Sequence, residues 1–178
     1  MRKIILSVAV SLDGFIEGPN KEFDWCPPPS KKEMDDFLKG IDIIFMGRKS
    51  YEMAGEFMNP EKLTYVFSNK LKQVRGKKVM LLSGDVMKEV EIIRKQSRSS
   101  SGGKDIWLWG GANLTTTFLN HNLVDEMWLG LVPIVLGNGK PLFQNIESRK
   151  QFNITESKIS KDYLSLKLSK SSNASRRP

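Results

Sequence analysis

The chain of 178 residues is long enough to bury one substantial core, and its 39% hydrophobic and 27% charged content suits a compact globular domain. No window approaches about 18 consecutive apolar residues, which argues against a membrane span, and the single cysteine, Cys26, excludes an intrachain disulfide framework and fits a reducing compartment. The net charge of +8 admits nucleic acid, an acidic surface or a small polyanionic ligand as partner.

The N-terminal MRKIILSVAVSLDGF superficially has the look of a signal peptide. Its apolar part, however, holds Ser7 and Ser11, ends in Asp13 and lacks a clean cleavage site. It reads instead as a first strand ending at Asp13-Gly14, with Val8, Val10 and Leu12 alternating with Ala9 and Ser11, and the protein is expected to be cytoplasmic. Glu17 to Pro29 is a loop, because Pro27, Pro28 and Pro29 in a row continue neither a helix nor a central strand. Ser30 and Glu33 then fit the N-cap and N3 positions of a capping box. Met34, Phe37 and Leu38 give the helix an apolar face before Gly40 closes it.

Ile41 to Met46 is nearly all apolar, as a parallel strand buried on both faces should be, and a helix follows to about Gly55. Leu63 to Ser68 and Lys78 to Leu82 read as strands. Gly84 to Gln96 reads as a helix with Val86, Val90 and Ile93 on one face, and Arg98 to Lys104 as a surface loop. Asp105 to Trp109 is a strand, Gly110-Gly111 a turn, and a helix runs on to about Asn122. His121, the only histidine, falls where it would cap that helix or lie on the surface. Val124 to Val135 reads as a long strand, Leu136 to Gly139 as a turn, and Phe152 to Ser157 with Leu164 to Leu168 as an antiparallel hairpin. Residues 1–170 are expected to form the domain and 171–178 a disordered tail. The alternation of strands and helices predicts an α/β fold with a mostly parallel sheet.

The segment FMGRKSYE, Phe45 to Glu52, opens a helix with two adjacent cations and none of the favoured capping residues before Arg48. Such a terminus offers free N–H groups and a positive dipole end to an anion, and glycine lets the backbone approach it. The turn Trp109-Gly110-Gly111-Ala112-Asn113 repeats the pattern. Two such turns on one sheet suit a diphosphate, although neither the Rossmann fingerprint nor the P-loop is present. The basic clusters, among them Lys70 to Lys72 and Lys77-Lys78, lack interleaved aromatic residues, so nucleic acid is not the expected partner. One cysteine and one histidine give no zinc site, and the lack of a nucleophile–base pair suggests chemistry carried by a cofactor.

Four segments together resemble the dihydrofolate reductase superfamily, most closely the reductase domain of bifunctional riboflavin-biosynthesis deaminase-reductases. They are AVSLDGFI (Ala9 to Ile16), MGRKSYE (Met46 to Glu52), WGGANL (Trp109 to Leu114), and Val124 to Glu126 followed by PIVLGNGKPLF (Pro133 to Phe143). The resemblance implies a mostly parallel central sheet of about eight strands flanked by helices, with a C-terminal antiparallel hairpin. It also implies NADPH as cofactor. The Ala9 backbone would meet the nicotinamide carboxamide, and Ile16 would flank the ring. Gly47, Arg48, Lys49 and Ser50 would hold the diphosphate and the adenosine 2′-phosphate. Ser68 and Asn69 would border the ribose phosphate. Gly110, Gly111, Ala112 and Asn113 would cradle the pyrophosphate from the other side. A homodimer contact would come from Val124 to Phe143.

Folate reductases carry a carboxylate on the first helix that holds the substrate ring, and Glu33 falls there by rough alignment. The capping box accounts for Glu33 equally well. Asp24 stands on the loop that would border the substrate, and Trp25 beside it either stacks on that substrate or pins the loop. The expected activity is hydride transfer from NADPH to a small heterocyclic, carbonyl or imine substrate. The alternatives are a non-catalytic NADP(H)-binding regulatory protein and a nucleic-acid binder.

Overall fold

The computed structural model describes residues 1–55, 61–95 and 103–171. In chain order the elements are β1 (Ile4–Ser11), β2 (Phe15–Glu17), α1 (Lys31–Lys39), β3 (Ile41–Gly47), α2 (Arg48–Ala54), β4 (Leu63–Phe67) and β5 (Val79–Leu82). They continue with α3 (Val86–Lys95), β6 (Asp105–Gly110), α4 (Ala112–Asn120), β7 (Glu126–Val132), β8 (Lys140–Pro141), β9 (Phe152–Ile159) and β10 (Leu164–Lys170). An eight-stranded sheet has the order β5-β4-β3-β6-β1-β7-β10-β9, and β2 pairs with β8 in a separate ribbon. From β5 across to β7 all pairs are parallel, whereas β10 joins β7 and β9 antiparallel.

Crossovers between parallel strands are right-handed, so the direction of travel decides which face each helix covers. β1 to β3 and β3 to β4 step one way across the sheet, and β5 to β6 and β6 to β7 step back. Accordingly Phe37 and Leu38 of α1 and Ala54 of α2 pack with Ile5, Ile44 and Met46 on one face. Val90 and Ile93 of α3 and Phe118 and Leu119 of α4 pack with Ile4, Leu6 and Ile106 on the other. Phe45 anchors this second core edge-on to Phe67 and Phe118, with centroids 5.1 and 5.8 Å away. β3 and β6 are neighbours whose helices leave to opposite faces, so the sheet parts at their carboxyl ends. Ligands of open α/β sheets collect in such a crevice.

Two boundaries differ from expectation for identifiable reasons. β7 stops at Val132 rather than Val135, because the chain beyond it is drawn off the ladder toward the end of β1. The Leu12 N–H donates to Ile134 O at 2.8 Å, and the Asp13 carboxylate accepts from the N–H groups of Leu136 (3.1 Å) and Gly137 (2.7 Å). α4 ends at Asn120 with His121 as its C-cap, and Asn122 turns the chain left-handed at φ 56°. Of the expected surface loop Arg98 to Lys104, all but Gly103 and Lys104 lie outside the described residues, as does the expected tail after Ser171. Ser171 itself is buried and donates its N–H to Gln151 O. No helix among the described residues is long and apolar enough to cross a membrane.

Candidate active site

Two helices open onto the crevice without a side-chain cap. α2 starts after Gly47 and α4 after Gly111, both in extended conformation. A Cβ added at Gly47 would stand 3.6 Å from Gly110 O and 3.9 Å from Gly111 N, and one at Gly111 would stand 3.4 Å from Ser50 Oγ. The two turns are therefore in van der Waals contact, and any side chain larger than hydrogen would begin to fill the space between them. Gly110 has φ +106°, a conformation L-residues avoid. Ser50 and Ala112 are buried beneath the turns, Lys49 is exposed, and Arg48 donates to both carboxylate oxygens of Glu52 at 2.8 Å.

Beside the crevice, on the α1 face, lies a cavity of about 540 Å³. Ser7 and Ala9 of β1 point into it, since alternate residues of a strand face the same side. Its floor is aromatic: the Phe37 ring lies 5.1 Å from both Trp107 and Trp128. Trp107 stacks on Trp109 with centroids 4.5 Å apart, and Trp109 directly precedes Gly110. The cavity and the crevice thus share a wall. A pocket of this size, apolar with a few convergent polar groups, is the usual form of a small-molecule site.

The rim comes from α1 and from the C-terminal hairpin. Glu33 accepts from Ser30 N (3.1 Å) and Ser30 Oγ (2.7 Å), closing the capping box on the solvent side. Its other oxygen accepts from Tyr163 Oη (3.2 Å) and lies 3.7 Å from Lys158 Nζ. Ser30 first, then Tyr163 and Lys158, hold the carboxyl below its ordinary range. Burial and the neighbouring Glu33 push Tyr163 up, so its hydroxyl stays protonated. Glu33 is therefore the N3 member of the capping box and also lines the cavity. Its depressed pKa keeps it an ionised acceptor at neutral pH, not a stored proton.

Gly47, Arg48, Lys49 and Ser50 come together with Gly110, Gly111 and Ala112. Asn113, the second residue of α4, lies beside them, its Oδ1 accepting from Gln144 Nε2 at 2.6 Å. Ser68 and Asn69 follow β4, one strand further out; the Ser68 side chain serves its own turn and that of Asn69 ties this turn to the one after β5. Ser68 Oγ accepts from the N–H groups of Lys70 and Leu71, and Asn69 Oδ1 from that of Gly84. Ile16 sits in the β2 ribbon and packs toward the α3–α4 face, away from the cavity. Asp24 is exposed, and the loop reaches the cavity through Pro27 and Pro29 instead. Trp25 is half-buried with its Nε1 enclosed.

Sequence reasoning missed the tryptophan floor and the hairpin's share of the rim. A signal for the latter existed. Tyr163, Ser165 and Lys167 alternate with Leu164, Leu166 and Leu168, a polar stripe on a strand whose other face is apolar.

The parallel sheet, its switch-point crevice and the adjoining cavity define the class, a dihydrofolate reductase-like α/β domain. The chain belongs to the RibD C-terminal domain family, whose model matches residues 2–175. It is 41% identical over 163 residues to the uncharacterized Bacillus subtilis (strain 168) protein YyaP, covering 83% of this chain and 84% of that one. Among solved structures it is similar to a candidate riboflavin biosynthesis protein from Shewanella sp. PV-4 (TM-score 0.81, 26% identity, 95% of this chain and 99% of that one). It shares its fold with the Thermotoga maritima diaminohydroxyphosphoribosylaminopyrimidine deaminase/5-amino-6-(5-phosphoribosylamino)uracil reductase (TM-score 0.74, 13% identity, 96% of this chain and 57% of that one). Dihydrofolate reductase from Enterococcus faecalis, complexed with NADP(H), has the same fold (TM-score 0.67, 15% identity, 94% of this chain and 96% of that one).

Proposed function

We propose that the protein is a cytoplasmic, homodimeric NADPH-dependent reductase acting on a small heterocyclic, carbonyl or imine substrate. The observation that carries this reading is the junction of two uncapped glycine turns with an aromatic cavity at the carboxyl end of one sheet. The crevice fits a dinucleotide: it is a cradle that a Cβ would begin to fill, walled by two helix starts whose amides have no side-chain acceptor. Gly47, Ser50, Gly110 and Gly111 would hold the pyrophosphate, with Lys49 toward the 2′-phosphate. The bound cofactor would supply the hydride.

The chain's own residues orient the reactants. Ala9 lies opposite Gly130 in the β1–β7 register, and the Tyr163 ring reaches 3.6 Å from where a Gly130 Cβ would be. The small residue at 130 thus lets the Tyr163 ring lie against the strand beside Ala9, on the cavity wall. Trp107, Trp128 and Phe37 exclude water from the cavity floor, and the Tyr163 hydroxyl, held by Glu33, remains protonated at its mouth.

Titration of the protein with NADPH and NADH tests the proposal. NADPH at about 100 times its dissociation constant should add about 2.7 kcal/mol of stability, and a melt that neither dinucleotide shifts would refute the reading. Lys49→Glu should weaken NADPH about 10- to 100-fold, the loss of one charge-assisted hydrogen bond, while NADH changes little. A second reading, cofactor binding without turnover, is favoured by the capped and ionised state of Glu33. NADPH binding with no turnover on pterin, pyrimidine or carbonyl substrates would select it.

A further inference from the structure

The outermost strand has an open edge whose chemistry matches itself. β9 ends the sheet order, and among the described residues no strand pairs with its outer side, whereas β7 has β1 and β10 on its two sides. At the hairpin turn the Ser160 N–H donates to Tyr163 O. Residues of an antiparallel strand alternately face and turn away from their neighbour. Glu156 and Lys158 therefore direct their backbone groups to β10, and Ser157 and Ile159 direct theirs outward. The register with β10 breaks at Thr155, which leaves Glu156 to Ile159 as the regular part. Ile159 and Ile154 are 85% and 68% exposed, and no other described large hydrophobic side chain but Met1 exceeds 68%. Such an edge is a template for another strand.

We propose that a second copy of this chain occupies it, β9 antiparallel to β9 about a two-fold axis at Ser157, and that each copy completes the other's cavity rim. In that register Ser157 and the partner's Ser157 exchange both N–H···O bonds, and Glu156 stands opposite the partner's Lys158 on both sides of the axis. Lys167 lies 2.8 Å from Glu156, and Lys158 lies 3.7 Å from Glu33. Across the join the charges therefore alternate: Lys167, Glu156, the partner's Lys158, the partner's Glu33. Lys161 and Asp162 of the turn fall opposite the partner's Asn153 and the partner's Phe152, which carry no charge. Moving the axis to Glu156 or to Lys158 would set like charges face to face. On the other face Ile159 comes beside the partner's Thr155 and the partner's Ile154, which covers the barest side chains. Glu156 and Lys158 both line the cavity, so the partner's Lys158 joins its rim. The pairing requires the homodimer of the proposed function and is independent of the reductase chemistry.

Analytical ultracentrifugation of Lys158→Glu and Glu156→Lys tests this. Each variant alone opposes like charges and should dissociate about tenfold more readily than the wild type, or worse. In an equimolar mixture of the two, every opposed pair is again of unlike charge, and dimers of wild-type affinity should return. Variants that dimerise as the wild type does, or a mixture that gains nothing over its components, overturn the proposal. Ser157→Cys gives a readout that leaves the charges intact. It places two thiols on Cα atoms about 5.5 Å apart, within disulfide range, and mild oxidation should yield a reducible covalent dimer. The wild type, whose only thiol is the half-buried Cys26, is the control, and failure to cross-link also overturns the pairing. A monomeric wild type removes the homodimer and the pairing with it, while NADPH titration reports separately on the reductase.

Discussion

Helices α1 and α4 begin in opposite ways. At α1 the chain closes the terminus on itself: Ser30 Oγ accepts from the Glu33 N–H at 3.2 Å, and Glu33 returns a carboxylate oxygen to the Ser30 N–H. At α4, and at α2 beside it, the N-cap is glycine and no side chain answers the exposed amides. These two open starts are the ones that meet across the crevice. The contrast teaches that a missing cap here is specific to place. The sequence spends serine and glutamate on a helix that walls a cavity, and withholds them where an anion would do the same work.

That contrast can be broken at its open end first. Gly111→Val directs a branched side chain at Ser50 Oγ and fills the cradle. The expected loss of NADPH affinity is about 10- to 100-fold, on the scale of one charge-assisted hydrogen bond, read by calorimetric titration. Unchanged affinity would mean that the crevice is not the pyrophosphate site. Next, Ser30→Ala should cost about 1 kcal/mol in urea denaturation, the ordinary value of an N-cap, and leave the NADPH dissociation constant within about twofold. A cap variant that weakened NADPH as much as it weakened the fold would erase the distinction between the two kinds of helix start.

The smallest effect is on acid titration. Lys32 first, with Lys39, lowers the Asp36 pKa to about 2 from an ordinary 3.8. A depressed carboxylate contributes stability that is complete above its unfolded value and is lost as pH falls through the folded one. The contribution of Asp36 to α1 should therefore be intact above pH 3.8 and fade toward pH 2. Carbon-13 NMR of the carboxyl groups would show it, and an Asp36 midpoint near 3.8 would contradict the ion pairs. α2 and α4 have no acidic residue in their first turn and should show no parallel loss there.

How legible the molecule was follows from the range of the interactions involved. The capping box, the glycine closing α1, and the doubly buried β3 are local patterns, and the sequence displays them within a few residues. The glycine turns at Gly47 and Gly110-Gly111 were legible for the same reason, though their mutual contact was not. The ribbon of β2 and β8 was illegible, because strands of three and two residues show no period. The cavity was harder still. Its floor takes Trp107 from β6, Trp128 from β7 and Phe37 from α1, residues united only by sheet order. Tyr163 meets Glu33 across a separation of 130 positions, which no spacing argument reaches.

The Asp13 carboxylate, which grips the Leu136 and Gly137 amides, has a consequence for how such a site diversifies. Leu142 N–H also donates to Gly14 O at 2.9 Å, and a Cβ at Gly139 would stand 2.2 Å from Glu17 O. The loop that starts at Asp13 and the segment that follows β7 thus behave as one part made of two pieces of chain. Exchanging the 13–29 loop for a relative's, to change what the cavity admits, would misfit unless residues 133–142 travelled with it. The heritable unit of this site is a pair of segments, inherited or grafted together.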